Sequence, residues 1–290
     1  MSGIQASELI LNPDGRLYHI HLKNEDIADI VLLVGDQNRV AEISKHFSKI
    51  DYRSAHREFI VHTGEYTGTR ITVLSTGIGT DNIDIVLNEL DAAVNIDPRT
   101  RLIKEHKRSL TIIRLGTSGA LQENIRLNDL VSSSHGLGLD GMLPYYAEWQ
   151  KVNESEISAA FIKHTTWPAH LPYPYCVSAD ESLFKKFVPI SHGGITATAP
   201  GFYGPQGRHL RLACELPDLN NLLTTFSVNT LRITNFEMET SAFYGLGKLL
   251  GHQCLTVCVI IANRVRNEFT KDYTKSVETL IENCLHKLSS

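Results

Sequence analysis

The sequence predicts one α/β domain over residues 1–290, built on a mixed, largely parallel sheet. Two patterns lead there. Short runs rich in Val, Ile and Leu alternate with stretches of helical, amphipathic spacing, the order expected of βα units. Three of the runs end in small-residue turns, "GDQNRV", "STGIGTDN" and "RLGTSGA", and open α/β sheets bind ligands beyond the carboxyl ends of their strands. No internal repeat or low-complexity linker divides the chain.

"DIVLLVG" (29–35) is a continuous apolar run between Asp29 and Gly35, as a strand buried on both faces requires. A helical pattern follows over 38–47, and "SAHREF" precedes another strand-like run. "RITVLSTG" (70–77) is a strand leading to a helix over 81–94; "LTIIRLG" (110–116) and "NDLVSSS" (128–134) are further strands. Residues 135–175 contain "HGLGLDGMLPYYAEW" and "TTWPAHLPYPY", whose prolines and aromatics predict a long packed loop at the rim of a pocket. "RITNFEMETSAFYGLGKLLGH" (232–252) starts as a strand and becomes a helix over 237–250; "CLTVCVIIANR" (254–264) is the last long strand, before a helix over 272–288.

With 42% hydrophobic and 21% charged residues, the composition is that of an ordinary globular protein with a large core. Lys and Arg number 28 against 32 acids, a net charge of −4. That argues against nucleic acid or an anionic membrane as partner, so any anion site must be local. The N-terminus has neither a basic region leading into an apolar run nor about 20 consecutive apolar residues, and the expected location is the cytoplasm. Cys176, Cys214, Cys254, Cys258 and Cys284 are irregularly spaced and read as reduced, buried thiols.

Familiar phosphate motifs are missing. There is no G-x-x-x-x-G-K-[ST], and in "GIGTDN" Asn82 takes the place of a dinucleotide fingerprint's third glycine. Gly136, Gly138 and Gly141 match G-x-G-x-x-G, but Pro144 stands where the helix should open. H-E-x-x-H and G-x-S-x-G are absent too. Side chains must then hold any anion, and arginine suits the task. Arg39 lies just past the first strand, Arg57 in "SAHREF", and Arg114 at the end of "LTII". Singly they read as a solvated helix arginine, an ion-pair member and a rim charge. Arg114 is the least ordinary, because a buried guanidinium must pair or meet a ligand. Three planar forks converging on one place suit a phosphate dianion.

Glu237 and Glu239 flank Met238 where strand gives way to helix. On a helix already begun, residues two apart lie about 200° around the axis, so at most one acid aims into a given pocket. By themselves the two acids read as first-turn residues favoured by the helix dipole.

Taken together, "GDQNRV", "SAHREF", "STGIG", "RLGTSGA", "FYGPQGR" and "NFEMETSA" stand in the order and spacing of the nucleoside phosphorylase family. The chain closely resembles that family, and in detail is most similar to its uridine phosphorylase branch. The match runs from residue 18 to the C-terminus, leaving 1–17 as an N-terminal extension. The resemblance implies a twisted mixed sheet wrapped by helices, assembled as dimers or trimers of dimers. It also implies reversible cleavage of a nucleoside by phosphate to free base and ribose 1-phosphate, with phosphate as co-substrate and no cofactor.

By that resemblance Gly35 and Arg39 contact phosphate, with Arg114 and Thr117 on its other side, and Arg57 reaches it from the partner subunit. Glu239 binds the ribose hydroxyls, Met238 floors the sugar, and Glu237 supports them. His19 in "YHIHL" crosses the interface to the 5′-hydroxyl, with His21 as a nearby alternative. Gly119 lines the base pocket, Phe202 packs on the base, and Gln206 and Arg208 read its edge. Asn263 and Arg264 stand where purine-cleaving relatives commonly carry an aspartate for purine N7. With "PQGR" this favours a pyrimidine, and uridine over cytidine because a glutamine amide pairs with adjacent donor and acceptor atoms.

In "GTDN", Asn82 replaces a serine that helps hold an interfacial potassium ion in some relatives; Glu58 and Ile78 match its remaining ligands. The extra residues in "NIDPRTRLIKEHKRS" and over 135–175 leave dimer and hexamer both open. Two rival enzymes stay in view, a purine nucleoside phosphorylase and a nucleoside hydrolase that needs no phosphate arginines. The rival of another class is a noncatalytic nucleoside-binding module.

Overall fold

A computed structural model describes residues 3–289; Met1, Ser2 and Ser290 of the expected 1–290 domain lie outside the described residues. The first half of the chain runs β1 (Ile30–Val34), α1 (Asn38–Ser44), β2 (Lys49–His56), β3 (Phe59–Tyr66), β4 (Thr69–Ser75), α2 (Thr80–Asn95), β5 (Thr111–Ala120) and β6 (Leu130–Gly138). Then come α3 (Ser155–Thr165), β7 (Tyr175–Ser178), α4 (Glu181–Phe187), β8 (His192–Thr198), α5 (Leu219–Thr225) and β9 (Ser227–Val228). The chain continues through β10 (Leu231–Glu237), α6 (Thr240–Leu250), β11 (Gln253–Asn263), β12 (Glu268–Phe269) and α7 (Thr274–Ser289).

β1 is paired in parallel on both sides, Ile30 opposite Ile71 and Thr111, Val34 opposite Ser75 and Leu115. A strand so enclosed needs the uninterrupted apolar sequence it has. β5 pairs in parallel with β11, and β6, β8 and β10 form a second parallel block. The antiparallel pairings β11–β6 and β10–β5 join the blocks. Strands β5, β11, β6, β8 and β10 thereby close into a ring, while β1, β4, β3 and β2 extend from β5 as an open wing. The sheet is mixed, as the alternation predicts; its closure is a tertiary feature that strand patterns do not encode.

β5 changes partner along its length. Thr111 to Leu115 pair with β1, whereas Gly119 and Ala120 pair with β10. Between them the wing and the ring part, and a cleft opens beside Gly116, Thr117 and Ser118, the kind of switch point at which α/β sheets bind ligands. Helices α2 and α6 pack against each other, their Ile83, Leu87, Leu90, Phe243 and Leu246 sharing one core with Val31, Leu33 and Leu74 of the wing, while α6 itself lies against β6 and β11 of the ring. In a second core α1 lies against β3 and β4 with Val40 and Ile43, and α7 lies against β11 with Leu280, Ile281 and Leu285.

The segment 135–175 differs from the long loop expected. β6 continues to Gly138, α3 occupies Ser155–Thr165 and β7 begins at Tyr175. Buried Ile157 and Phe161, one helical turn apart, give α3 its apolar stripe, a signal obscured by the surrounding prolines and aromatics. Nor does this segment rim the cleft, whose lining residues come from elsewhere. The start of the expected N-terminal extension packs on the loop after α2: Ile4 N donates to Arg101 O at 2.9 Å and Arg101 Nε to Ile4 O at 2.7 Å. All five cysteines are free; four are buried, and Cys214 is half-buried. Among the described residues, no helix is long and apolar enough to cross a membrane.

Candidate active site

The cleft is a cavity of about 880 Å³. Glu237 and Glu239 both line it, contrary to the expectation that only one could. The reason is local: β10 runs through Glu237 and α6 begins only at Thr240, so the pair is not yet on a helix and the helical separation of about 200° does not apply to it. Arg114 Nη1 lies 3.2 Å from Glu237 Oε2, and Arg114 Nη2 donates to Glu239 Oε2.

The two carboxylates do different work. Glu237 accepts from Glu239 N at 3.0 Å, Thr240 N at 3.1 Å and Thr198 Oγ1 at 2.7 Å, satisfying N–H groups that open α6. Glu239 sits at the N-cap position without capping. Its Oε1 instead accepts from Gly79 N at 2.8 Å. Gly77 and Gly79 have φ of 72° and 99°, and a Cβ on Gly77 would meet Asn82 Nδ2 at 2.6 Å, so this turn needs glycine. Burial, against the pull of Arg114 and with Glu237 beside it, raises the pKa of Glu239 to about 7. Burial opposes the charge of Arg114, but Glu239 and Glu237 hold its pKa above the ordinary arginine value.

Arg39 and Gly35 line the cavity with Arg114 and Thr117. Arg39 is buried rather than solvated, with Nη1 donating to Leu115 O at 3.2 Å, and burial lowers its pKa. Arg39 Nε and Arg114 Nε have no hydrogen-bond partner. Buried guanidinium N–H groups without acceptors are costly, and an anion between the two arginines would relieve both. Met238 lines the cavity between the carboxylates.

At the other end lie Gly119, Phe202, Gln206 and Arg208. Gln206 is buried, and its Oε1 accepts from Arg208 Nη1 at 2.6 Å and Arg264 Nη2 at 2.8 Å. Arg264 Nη1 also holds Gln206 O at 2.8 Å. With both lone pairs of the amide oxygen engaged, Gln206 has only N–H donors left to offer. The mixed donor and acceptor edge expected of this glutamine is therefore corrected to a donor edge. Burial, with Arg208 beside it, lowers the pKa of Arg264 to about 10, so it stays charged at neutral pH. Phe202 is half-exposed at the mouth, its ring centroid 3.6 Å from the Arg208 guanidinium. Asn263 turns away, donating to Gln122 O and Ile125 O while accepting from Val265 N and Arg266 N.

Arg57 and His19 do not line the cavity of their own chain. Both lie on an outer face, where the Arg57 guanidinium sits 5.7 Å over the Tyr18 ring and His19 Nδ1 is 2.5 Å from Glu89 Oε1. His21 stacks on His56 at 4.2 Å, its pKa lowered by burial and by His56. Glu58 and Ile78 line the cavity, and Ile78 O accepts from Asn82 Nδ2 at 3.4 Å. Sequence reasoning passed over Asp36, Ser118, Phe236, Phe269 and Tyr273, which also line it. Phe236 directly precedes the Glu237-Met238-Glu239 stretch at the end of β10, a nearness in sequence that could have found it; Phe269 and Tyr273 carry no such signal.

The family model of the phosphorylase superfamily matches residues 29–288. The uridine phosphorylase of Thermococcus kodakarensis is 35% identical over 266 residues, 89% of this chain and 81% of that protein. The DeoD-type purine nucleoside phosphorylase of Buchnera aphidicola is 26% identical over 280 residues, 93% of this chain and 98% of that one. Among solved structures, a Trypanosoma brucei nucleoside phosphorylase reported to show uridine phosphorylase activity matches with a TM-score of 0.84 and 29% identity, covering 97% of this chain and 98% of that chain. The matched span runs from β1 into α7 and takes in every strand around the cleft: the chain belongs to the phosphorylase superfamily.

Proposed function

We propose that this chain is a cytoplasmic uridine phosphorylase of pyrimidine salvage, cleaving uridine reversibly with phosphate to uracil and ribose 1-phosphate. The observation that carries the choice of uridine over cytidine is the donor edge at the base end. Gln206 with its oxygen held by Arg208 and Arg264 offers N–H groups only, which suit the two carbonyls of uracil and oppose the exocyclic amine of cytosine. The uridine phosphorylase relative and the T. brucei structure support the same reading.

In this mechanism phosphate lies between Arg39 and Arg114 with Thr117 and Gly35 beside it, and Arg57 of a second chain completes the grip. Positioning the nucleophile below the anomeric carbon is largely an entropic contribution. An oxygen of phosphate forms the new bond to C1′ as the bond from C1′ to the base nitrogen breaks. Positive charge develops on a ribose held by Glu239 over Met238, and the departing electron pair spreads onto the pyrimidine carbonyls. Fixed donors from Gln206 and Arg208 favour that charge more than the ground state. No glycosidase carboxylate pair is involved, since phosphate is the nucleophile.

The active unit in this reading is at least a dimer sharing its sites, with small-molecule nucleoside and phosphate as ligands. An interfacial cation would draw on Glu58 and Ile78. One chain supplies there a carboxylate and a carbonyl already accepting from Asn82, so further oxygens would come from the partner, and no step runs through the ion. Assays of uridine and inosine with and without phosphate test the proposal: uracil release should require phosphate and far outpace hypoxanthine release. Phosphate-independent cleavage would make the protein a hydrolase. Faster inosine cleavage would make it a purine enzyme, and binding without turnover a noncatalytic module.

A further inference from the structure

Glu89, in the middle of α2, gathers four contacts from one short stretch of chain. It accepts from His19 N at 3.0 and 3.3 Å, from Ile20 N at 2.9 Å, and meets His19 Nδ1 at 2.5 Å. None of this belongs to Glu89's own cavity. An ionised carboxylate can only accept, so the imidazole nitrogen facing it carries the hydrogen, and in the neutral ring Nε2 keeps its lone pair. The ring is further fixed by the edges of Tyr18, centroids 4.8 Å apart, and Phe59, 6.3 Å apart, while His19 O receives His56 Nδ1 at 3.1 Å. The same carboxylate thus sets the backbone, the ring and the tautomer of His19.

We propose that Glu89 is a positioning residue that holds His19 Nε2 as an acceptor for the nucleoside 5′-hydroxyl in the neighbouring subunit's site, so that the enzyme selects nucleosides with a free 5′-hydroxyl. This rests on the shared-site reading of His19 above. A half-buried carboxylate behind a histidine is the kind of arrangement that orients imidazoles elsewhere and strengthens their free nitrogen as an acceptor. The physical consequence is specificity rather than chemistry: a site built to pair a hydroxyl discriminates against the analogue that lacks it.

Glu89→Gln is the informative substitution. Its amide oxygen can still accept from the backbone of residues 19 and 20, but its N–H₂ facing Nδ1 would move the imidazole hydrogen to Nε2. Nitrogen-15 spectra, with the His19 signal assigned by its loss in His19→Ala, should show the Nδ1–H tautomer in the wild-type protein and Nε2–H in Glu89→Gln. In kcat/KM, uridine should lose about tenfold more than 5′-deoxyuridine in Glu89→Gln. His19→Ala should lose the same preference, and the double variant no more than His19→Ala. Equal losses for both substrates in Glu89→Gln, or an unchanged preference there while His19→Ala loses it, would overturn the positioning role. A preference untouched by His19→Ala would refute the shared-site reading of His19, and the specificity proposed here with it. An Nε2–H tautomer in the wild-type protein would overturn the inference alone.

Discussion

Glu237 and Glu239 share one guanidinium: Arg114 Nη1 lies 3.2 Å from Glu237 Oε2, and Nη2 donates to Glu239 Oε2. Both acids precede the first turn of α6 and reach the same guanidinium, and Glu237 takes over the opening N–H groups of α6. Glu239 is thereby free to face the cavity. The groups assigned to phosphate and to ribose are therefore already coupled, and each ligand must share a partner with the other's binding group.

These two acids should separate cleanly in variants. Glu239→Gln keeps an acceptor for Gly79 N but withdraws the charge offered to the ribose, so transition-state stabilisation in kcat/KM for uridine should fall by about 2 to 4 kcal/mol. Its fold should be little affected. Glu237→Gln must instead turn an N–H₂ toward donors, and its unfolding free energy should fall by about 1 to 3 kcal/mol. Near-normal turnover in Glu239→Gln, measured beside denaturation curves for both proteins, would reduce the motif to a helix start.

The raised pKa of Glu239 gives a pH dependence with a definite sign. Its folded value of about 7 exceeds the ordinary glutamate value of 4.5, so the fold favours the protonated form. The stability this contributes is fully present below about 4.5 and is lost as pH rises through about 7. Wild-type protein should therefore lose stability relative to Glu239→Gln over that window. If the ionised form grips the ribose, kcat/KM should also rise through about pH 7, and whatever part of the rise survives in Glu239→Gln belongs to phosphate. Parallel melting curves for the two proteins across the window would contradict the assignment.

Much of this site was legible because strand ends, glycine turns and arginines are local signals. Arg39 and Arg114 could be named as anion-site candidates from short runs, and the cost of burying a guanidinium singled out Arg114, whereas the role of Glu239 came only with the family resemblance. What could not be read was three-dimensional. The parting of β1 and β10 along β5 depends on ring closure, and the donor character of Gln206 depends on Arg264, 58 positions away. Glu237 was misjudged by counting helix residues where the strand had not ended. Helix α3 was missed because Pro and aromatic residues around Ile157 and Phe161 outweighed their spacing.

Arg264 offers a test of base selection that spares the phosphate end. Arg264→Met should release Gln206 O and leave Oε1 held by Arg208 alone, freeing one lone pair of the amide oxygen toward the base. The ratio of uridine to inosine kcat/KM should then fall by about tenfold, mostly through uridine KM, in keeping with the cost of mispaired polar groups. An unchanged ratio would mean that Gln206 needs no such clamp.

The separation of Arg57 from its own cavity leads to the most decisive experiment. Arg57 lies over Tyr18 on the outer face, whereas Arg114 is buried in the cleft. If each site takes Arg57 from the partner and Arg114 from its own chain, Arg57→Ala and Arg114→Ala should each lose most activity, since each removes a charged contact to phosphate. Now let the two variants exchange subunits. In a dimer with one chain of each kind, one site carries both lesions and the other carries neither. Random pairing makes about half the dimers mixed, each with one intact site, so activity should return to about a quarter of the wild-type level. An own-chain Arg57 would instead leave every site with one lesion in every dimer. Verified exchange with no recovery would therefore place Arg57 in its own chain's site and end the shared-site mechanism.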